Sequence, residues 1–210
     1  MSTASEVRPD RRQRRRQETI SEVLDVALQL MTEQGVAGLS LGEVARRMGI
    51  RPPSLYVYFD SKNALYDAIF ARGWRELADA MEAAAEIAEA SVRDVLLRNA
   101  STCVRWSVEY PAYSQLMFWR PVPGYQPSAQ AYEPAVRLLQ RGRTTLAESQ
   151  DRGALRADVD VDELLRAWTT VISGVISQQL SNAPHESFEE GRFTTLLPQF
   201  VEMYIAHYAP

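Results

Sequence analysis

Gly38-Leu39-Ser40-Leu41-Gly42 has the spacing of a turn that presents a serine nucleophile, with His185 or His207 as the available base. Acyl transfer from Ser40 would need a strand before the serine. The preceding residues instead carry helical periodicity that ends at Gly35, so a small serine hydrolase is the weaker reading. Asp158, Asp160 and Asp162 imitate the start of a calcium loop. Glu163 stands where that loop needs glycine and Thr169 where it needs a bidentate glutamate, so helix capping accounts for them better. No catalytic residue, metal site or cofactor is therefore assigned. A different chemistry is offered by Arg8, Arg11, Arg12, Arg14, Arg15 and Arg16, opposed only by Asp10. Such a run makes salt-sensitive contacts with a polyanion, entering a narrow minor groove or following phosphates. A solvated tail is the bland alternative.

The net charge of -4 hides an asymmetry that suits that partner. Residues 1–66 hold ten Lys and Arg against eight Asp and Glu, whereas the remainder holds 13 against 19. A hydrophobic fraction of 46% and a charged fraction of 24% over 210 residues supply a real core and exclude wholesale disorder. The single cysteine, Cys103, cannot close an internal disulfide and reads as a buried, inert thiol. No apolar stretch follows the arginine run and no window has the length of a membrane span. The expectation is a cytoplasmic, soluble protein with no membrane partner.

The elements that would position these groups read as helices throughout. Ile20, Val23, Leu24, Ala27, Leu30 and Met31 mark one face of a helix over Arg15 to Gln34, closed by Gly35. Ser40 and Glu43 have capping-box spacing for a short second helix that buries Leu41, Val44, Ala45 and Met48 and stops at Gly49. Pro52 and Pro53 fit a helix beginning, and the spacing predicts a third helix to about Tyr58. Asp60 and Ser61 offer caps to a fourth, which leads through Leu65, Ile69 and Phe70 into the second half. Beyond it, helices are expected near 91–109, 112–119, 128–151, 161–181 and 190–208. The fold class is all-α, a three-helix head joined through its fourth helix to a C-terminal helical bundle. No Gly- or Ser-rich linker separates them, so the two should move as coupled parts.

The stretch from Arg15 to Phe70, densest from Gly49 to Leu65 with its Leu-Tyr-x-Tyr-Phe run and Ser-Lys-x-x-Leu helix entry, resembles the TetR/AcrR family of transcriptional regulators. Arg152-Gly153-Ala154-Leu155-Arg156-Ala157-Asp158 adds a looser likeness in the second half. The resemblance implies residues 1–16 as a basic flexible arm, 17–66 as a helix-turn-helix head and 67–210 as a ligand-binding and dimerisation body. It places phosphate contacts at Ser40, Tyr56, Tyr58 and Lys62, each a hydroxyl or cation suited to an anion. Lys62 is the one lysine among 23 basic residues. Leu55 and Phe59, four apart, should face the head's core and leave Arg51, Pro52, Ser54 and Tyr56 outward. Base choice would fall to Arg51 and Ser54, with Pro52 and Pro53 against thymine methyls, and the arm would add Arg11, Arg12, Arg14 and Arg15. Arg51 departs from the family, which often has a capping Ser or Thr there.

Seven aromatic residues lie between Trp106 and Tyr132, in a chain that is 9% aromatic. They are either core or the wall of a pocket for a small apolar or aromatic effector; the resemblance favours a pocket. Candidate lining residues are Trp106, Tyr110, Tyr113, Met117, Phe118, Trp119 and Tyr132, closed by Trp168 and Ile172. Arg105 or Arg120 could pair an acidic ligand, although a surface position suits both better. The apolar stripes over 161–180 and 193–208 are wider than one core needs. They read as a homodimer interface using Val171, Gly174, Val175, Phe200, Val201 and Tyr204, with Pro198 either kinking the last helix or beginning its straight part. The implied function is a repressor that binds a pseudo-palindromic double-stranded DNA operator and is released by the effector. The alternatives are the Ser40 hydrolase and a helical adaptor that does not bind DNA.

Overall fold

The computed structural model describes residues 11–84 and 91–210. Secondary structure among them is helical, with no strand: α1 (Arg11–Gln34), α2 (Leu41–Arg47), α3 (Pro52–Leu55), α4 (Lys62–Ala83), α5 (Val92–Glu109), α6 (Pro111–Phe118), α7 (Ala129–Asp151), α8 (Val161–Asn182) and α9 (Leu197–Tyr208). Two compact units divide between Ile69 and Phe70, within α4.

In the first unit α1 buries Val23, Leu24, Ala27, Leu30 and Met31, the face its periodicity marked. It begins at Arg11, ahead of the expected Arg15. Residues 11–16 are thus helical and not a flexible arm, because arginine is a good helix former and no Gly or Pro interrupts the run. Residues 1–10, Arg8 included, lie outside the described residues.

Ser40 holds the N-cap position of α2, yet the expected capping box does not form. Its hydroxyl makes no cap hydrogen bond, and Glu43 instead accepts two bonds from Arg46, at 2.8 and 2.7 Å, with Arg47 at 3.5 Å. A bidentate pair between two charged groups outweighs the single bond from a backbone N–H that it displaces. The other end of α2 closes as expected at Gly49, whose φ of 67° suits glycine. The Gly49 N–H donates to the Arg46 carbonyl at 3.2 Å and the Ile50 N–H to that of Ala45 at 3.0 Å, which satisfies two carbonyls left over by the helix.

Pro52 and Pro53 start α3, whose lost N–H groups would have had no partner. The helix is a single turn ending at Leu55, not at Tyr58. Residues 56–58 form a turn in which the Tyr58 and Phe59 N–H groups both donate to the Leu55 carbonyl, at 2.9 Å each, drawing the chain out of the α-helical path. Of the two offered caps for α4, the Ser61 hydroxyl accepts from the Ala64 N–H at 3.1 Å.

In the second unit α5 packs on α6, α8 and α9, and α7 packs on α8. Their shared core holds Leu96 and Val104 of α5, Leu164, Trp168 and Ile176 of α8, and Val201 and Tyr204 of α9. Three helix starts are capped by side chains, at Ser91, Ser128 and Asp160. The Asp160 carboxylate accepts from the Asp162 N–H at 2.7 Å, while Asp158 pairs with Arg156 and Asp162 with Arg143. Capping and ion pairing thus account for the calcium-like spacing.

The last helix starts at Leu197 after a turn of 3-10 helix over Thr194–Leu196, not at residue 190. Pro198 sits in its first turn, so the proline begins the helix and does not kink it. Val175, Val201 and Tyr204, expected at a dimer interface, are buried in the protomer's own core, and the Tyr204 hydroxyl donates to the Leu164 carbonyl at 2.9 Å. Their stripes looked surplus because α5 covers α8 and α9 as well, which the sequence of either helix does not reveal. Val171 and Phe200 remain half-buried, and Gly174 is exposed with open space where a Cβ would stand.

Candidate nucleic-acid interface and ligand cavity

The first unit's exposed surface gathers the expected polar groups. Leu55 and Phe59 are buried, and that choice turns Arg51, Pro52, Pro53 and Ser54 outward, all exposed. Arg51 occupies the N-cap of α3, and its guanidinium, which has no acceptor atom, makes no cap hydrogen bond there. Tyr56 is 52% exposed, whereas Tyr58 is half-buried. That difference follows from a two-residue separation, which cannot place both rings on one buried face.

Each remaining candidate has a definite local setting. Ser40 is exposed, with its hydroxyl uncommitted to a cap. The Lys62 ammonium donates to the Ala37 carbonyl at 3.2 Å and lies 5.4 Å from the Tyr66 ring centroid. That leaves two of its three protons for an anion. Tyr66 anchors the same corner: its hydroxyl donates to the Val36 carbonyl at 2.7 Å, and burial pushes the phenol up to about 12. Arg11, Arg12, Arg14 and Arg15 are exposed on α1. Arg16, not among the expected contacts, reaches the recognition turn. Its guanidinium donates to the Val57 carbonyl at 3.3 Å and stands 5.1 Å from the Tyr58 ring centroid. Its place as the last arginine of that run was the one sequence signal for it.

The α1–α2 pairing is held by Arg47, which binds Glu33 of α1 with two bonds, one of them 2.8 Å, and also approaches Glu43. Hydrogen bonding to Arg46 is the main reason the Glu43 carboxyl falls from 4.5 to about 2, and Arg47 adds to it. Arginines 46 and 47 are thereby engaged within the head, while those of the first turns of α1 and Arg51 are not paired to any carboxylate by an ion pair among the described residues. Ser40 does not sit on a strand-to-helix elbow, since a 3-10 turn over Val36–Gly38 precedes it. The arrangement suits an extended polyanion better than an acyl group.

The second unit contains a cavity of about 660 Å³, within the range of small-molecule sites. Met117, Phe118, Trp119, Tyr132, Trp168 and Ile172 line it, as anticipated. Trp106, Tyr110 and Tyr113 do not. They pack on one another with centroids 5.3 to 6.4 Å apart, and the Tyr113 hydroxyl donates to the Glu76 carboxylate at 3.4 Å. α4 supplies a wall that sequence reasoning missed, through Trp74, Leu77 and Met81. Their recurrence with Phe70 at helical spacing is legible in the sequence, outside the aromatic-rich stretch from Trp106 to Tyr132. Gly73 lets α4 approach α6, because a Cβ there would stand 2.6 Å from the Met117 sulfur and 2.8 Å from the Tyr113 ring. Cys103 also faces the cavity, and burial pushes its thiol up to about 12, so it remains uncharged. Arg105 lies over the Phe188 ring and pairs with Glu189; neither it nor Arg120 lines the cavity.

Residues 23–69 match the family model described as bacterial regulatory proteins, tetR family. The HTH-type transcriptional regulator Rv1816 of Mycobacterium tuberculosis is 27% identical over 156 residues, 73% of this chain and 67% of the relative. Among solved structures, a protein of unknown function from Rhodococcus sp. RHA1 superposes with a TM-score of 0.77 at 20% identity, covering 91% of this chain and 95% of its own. The transcriptional regulator FadR from Bacillus subtilis, in complex with stearoyl-CoA, gives 0.71 at 14% identity over 89% and 97%. At such identities the structural likenesses establish the fold.

Proposed function

Because the chain belongs to the TetR/AcrR family of transcriptional regulators, we propose that it binds a pseudo-palindromic operator as a homodimer and represses until a small, mainly apolar effector enters the body. The carrying observation is the outward set Arg51, Pro52, Pro53 and Ser54 on the single-turn α3, flanked by Tyr56, Ser40 and Lys62. A recognition helix that buries Leu55 and offers a guanidinium and a hydroxyl at its start suits base edges in a major groove. Ser40, Tyr56, Tyr58 and Lys62 would hold phosphates, and Arg11, Arg12, Arg14 and Arg15 would add electrostatic attraction. In a dimer the two recognition helices would lie about 34 to 36 Å apart, one DNA turn. Exposed Gly174, with half-buried Val171 and Phe200, would contribute to the contact between copies.

An effector that prefers one body conformation lowers operator affinity by its differential affinity, typically about 5- to 150-fold. A cytoplasmic location fits this role, and no helix among the described residues is long and apolar enough to cross a membrane. Footprinting with DNA upstream of the chain's own gene tests the reading. A protected site of two-fold symmetry is expected at low salt, and no protection would sink the regulator. Removing residues 1–14 should flatten the salt dependence of binding, and an unchanged slope would return the arginines to solvent.

A further inference from the structure

The recognition turn has few anchors of its own. α3 is a single turn of four residues, too short to be stable by itself. Buried Leu55 and Phe59 pin the two ends of the stretch that follows. Between them Tyr56 and Val57 are mostly exposed, and the Tyr58 and Phe59 N–H groups share one acceptor, the Leu55 carbonyl. Among the described residues, one side chain from elsewhere in the chain reaches residues 56–58 with a hydrogen bond. Arg16, 41 positions earlier, donates to the Val57 carbonyl, and the same guanidinium stands over the Tyr58 ring. A planar fork of five N–H groups is suited to lying against a ring while donating at its edge. Arg16 also makes no ion pair among the described residues, so no carboxylate draws it away from the turn. Because α1 begins at Arg11, Arg16 sits in its second turn, clear of the helix end.

We propose that Arg16 is a positioning residue for DNA recognition, holding residues 56–58 in the form that presents Tyr56 and Tyr58 to phosphate before DNA arrives. A turn that is only partly in its competent form lowers affinity by that fraction, and the contact from Arg16 raises the fraction. Its role differs from that of Arg11, Arg12, Arg14 and Arg15, exposed cations that would attract phosphate by charge. The inference rests on the operator-binding reading, but its first test needs no DNA, so a failed footprint and a failed exchange measurement are separate results.

Exchange of backbone amides with water, read by NMR on the full chain, tests the brace. In Arg16→Ala the Tyr58 and Phe59 N–H groups should exchange on the order of tenfold faster, while buried positions of α1 such as Leu30 keep their rates. Arg15→Ala, which removes the neighbouring charge, should leave the rates at Tyr58 and Phe59 as they were. Binding to DNA upstream of the chain's own gene, measured over a range of salt, then separates bracing from charge. Arg16→Lys keeps the positive charge but puts one hydrated ammonium in place of the planar fork. The salt slope should therefore stay, and affinity at every salt should fall roughly threefold. A residue that only attracts phosphate would keep its full affinity as lysine. Unchanged exchange at Tyr58 and Phe59 in Arg16→Ala, equal acceleration throughout α1, the same acceleration in Arg15→Ala, or a lysine variant that binds as tightly as the unmutated chain would overturn the proposal.

Discussion

The head and the body place their polar groups in opposite ways. In the head, two buried side chains, Leu55 and Phe59, force Arg51, Ser54 and Tyr56 to the outside, where water keeps them solvated until an anion arrives. In the body, Phe70 and Phe118 pack around the Trp74 indole, whose buried N–H finds no acceptor among the described residues. A polyanion is met by many exposed donors, each worth little and each weakened by salt. A guest in the body's cavity is met chiefly by apolar and aromatic side chains. The two regions therefore differ in what a mutation should change.

The largest effect is expected where the head's outward surface depends on a buried residue. Leu55→Ala should cost about 2–5 kcal/mol of head stability, read from the denaturation midpoint, and abolish operator binding while the body's helices stay folded. Loss of both together would break the contrast between the regions. Next, Gly73→Ala should cost the body about 1–3 kcal/mol by pressing α4 against Met117 and Tyr113, reduced by the better helix propensity of alanine. An unchanged melting temperature would show that α6 yields. Within the DNA surface, Arg51→Ala should weaken operator binding by about 1–3 kcal/mol and relax preference at one base position. Arg15→Ala should instead weaken all sequences alike and reduce the salt slope by about 1; equal behaviour of the two variants would erase the distinction between base and phosphate contacts.

The smallest effect concerns acid stability. The Glu43 carboxyl is held down to about 2 by Arg46 and Arg47, so its contribution to the head is fully present above its ordinary value of 4.5 and is lost as pH falls toward 2. Glu43→Gln should flatten the stability profile of the head across that window, measured by urea unfolding at successive pH values. A profile that keeps its slope would assign the acid sensitivity to Glu33 or other carboxylates. Solvent screening keeps this effect modest, since the Arg46 side chain is 72% exposed.

Local patterns were enough for much of the head. Gly49 had to end α2, since its positive φ excludes most side chains, and Pro52 and Pro53 had to begin α3. Leu55 and Phe59, four apart, had to share a buried face, so the outward set from Arg51 to Ser54 was readable from spacing alone. The capping box failed because a local motif could not register Arg46 and Arg47 competing for Glu43. The body was less legible for the same reason on a larger scale. Aromatic excess identified Met117, Phe118 and Tyr132 as cavity walls, but equally Trp106, Tyr110 and Tyr113, which pack on each other.

The all-helical class, the α2–α3 turn and the identity of the exposed donors were determined by sequence itself, since periodicity, capping and proline geometry act within a few residues. Only tertiary structure decided which wide stripes are core and which are surface, that α4 walls the cavity, and that the buried Trp74 N–H finds no acceptor among the described residues. Those outcomes depend on which helices meet across long stretches of chain, and the packing of one face against another is not written in either helix alone.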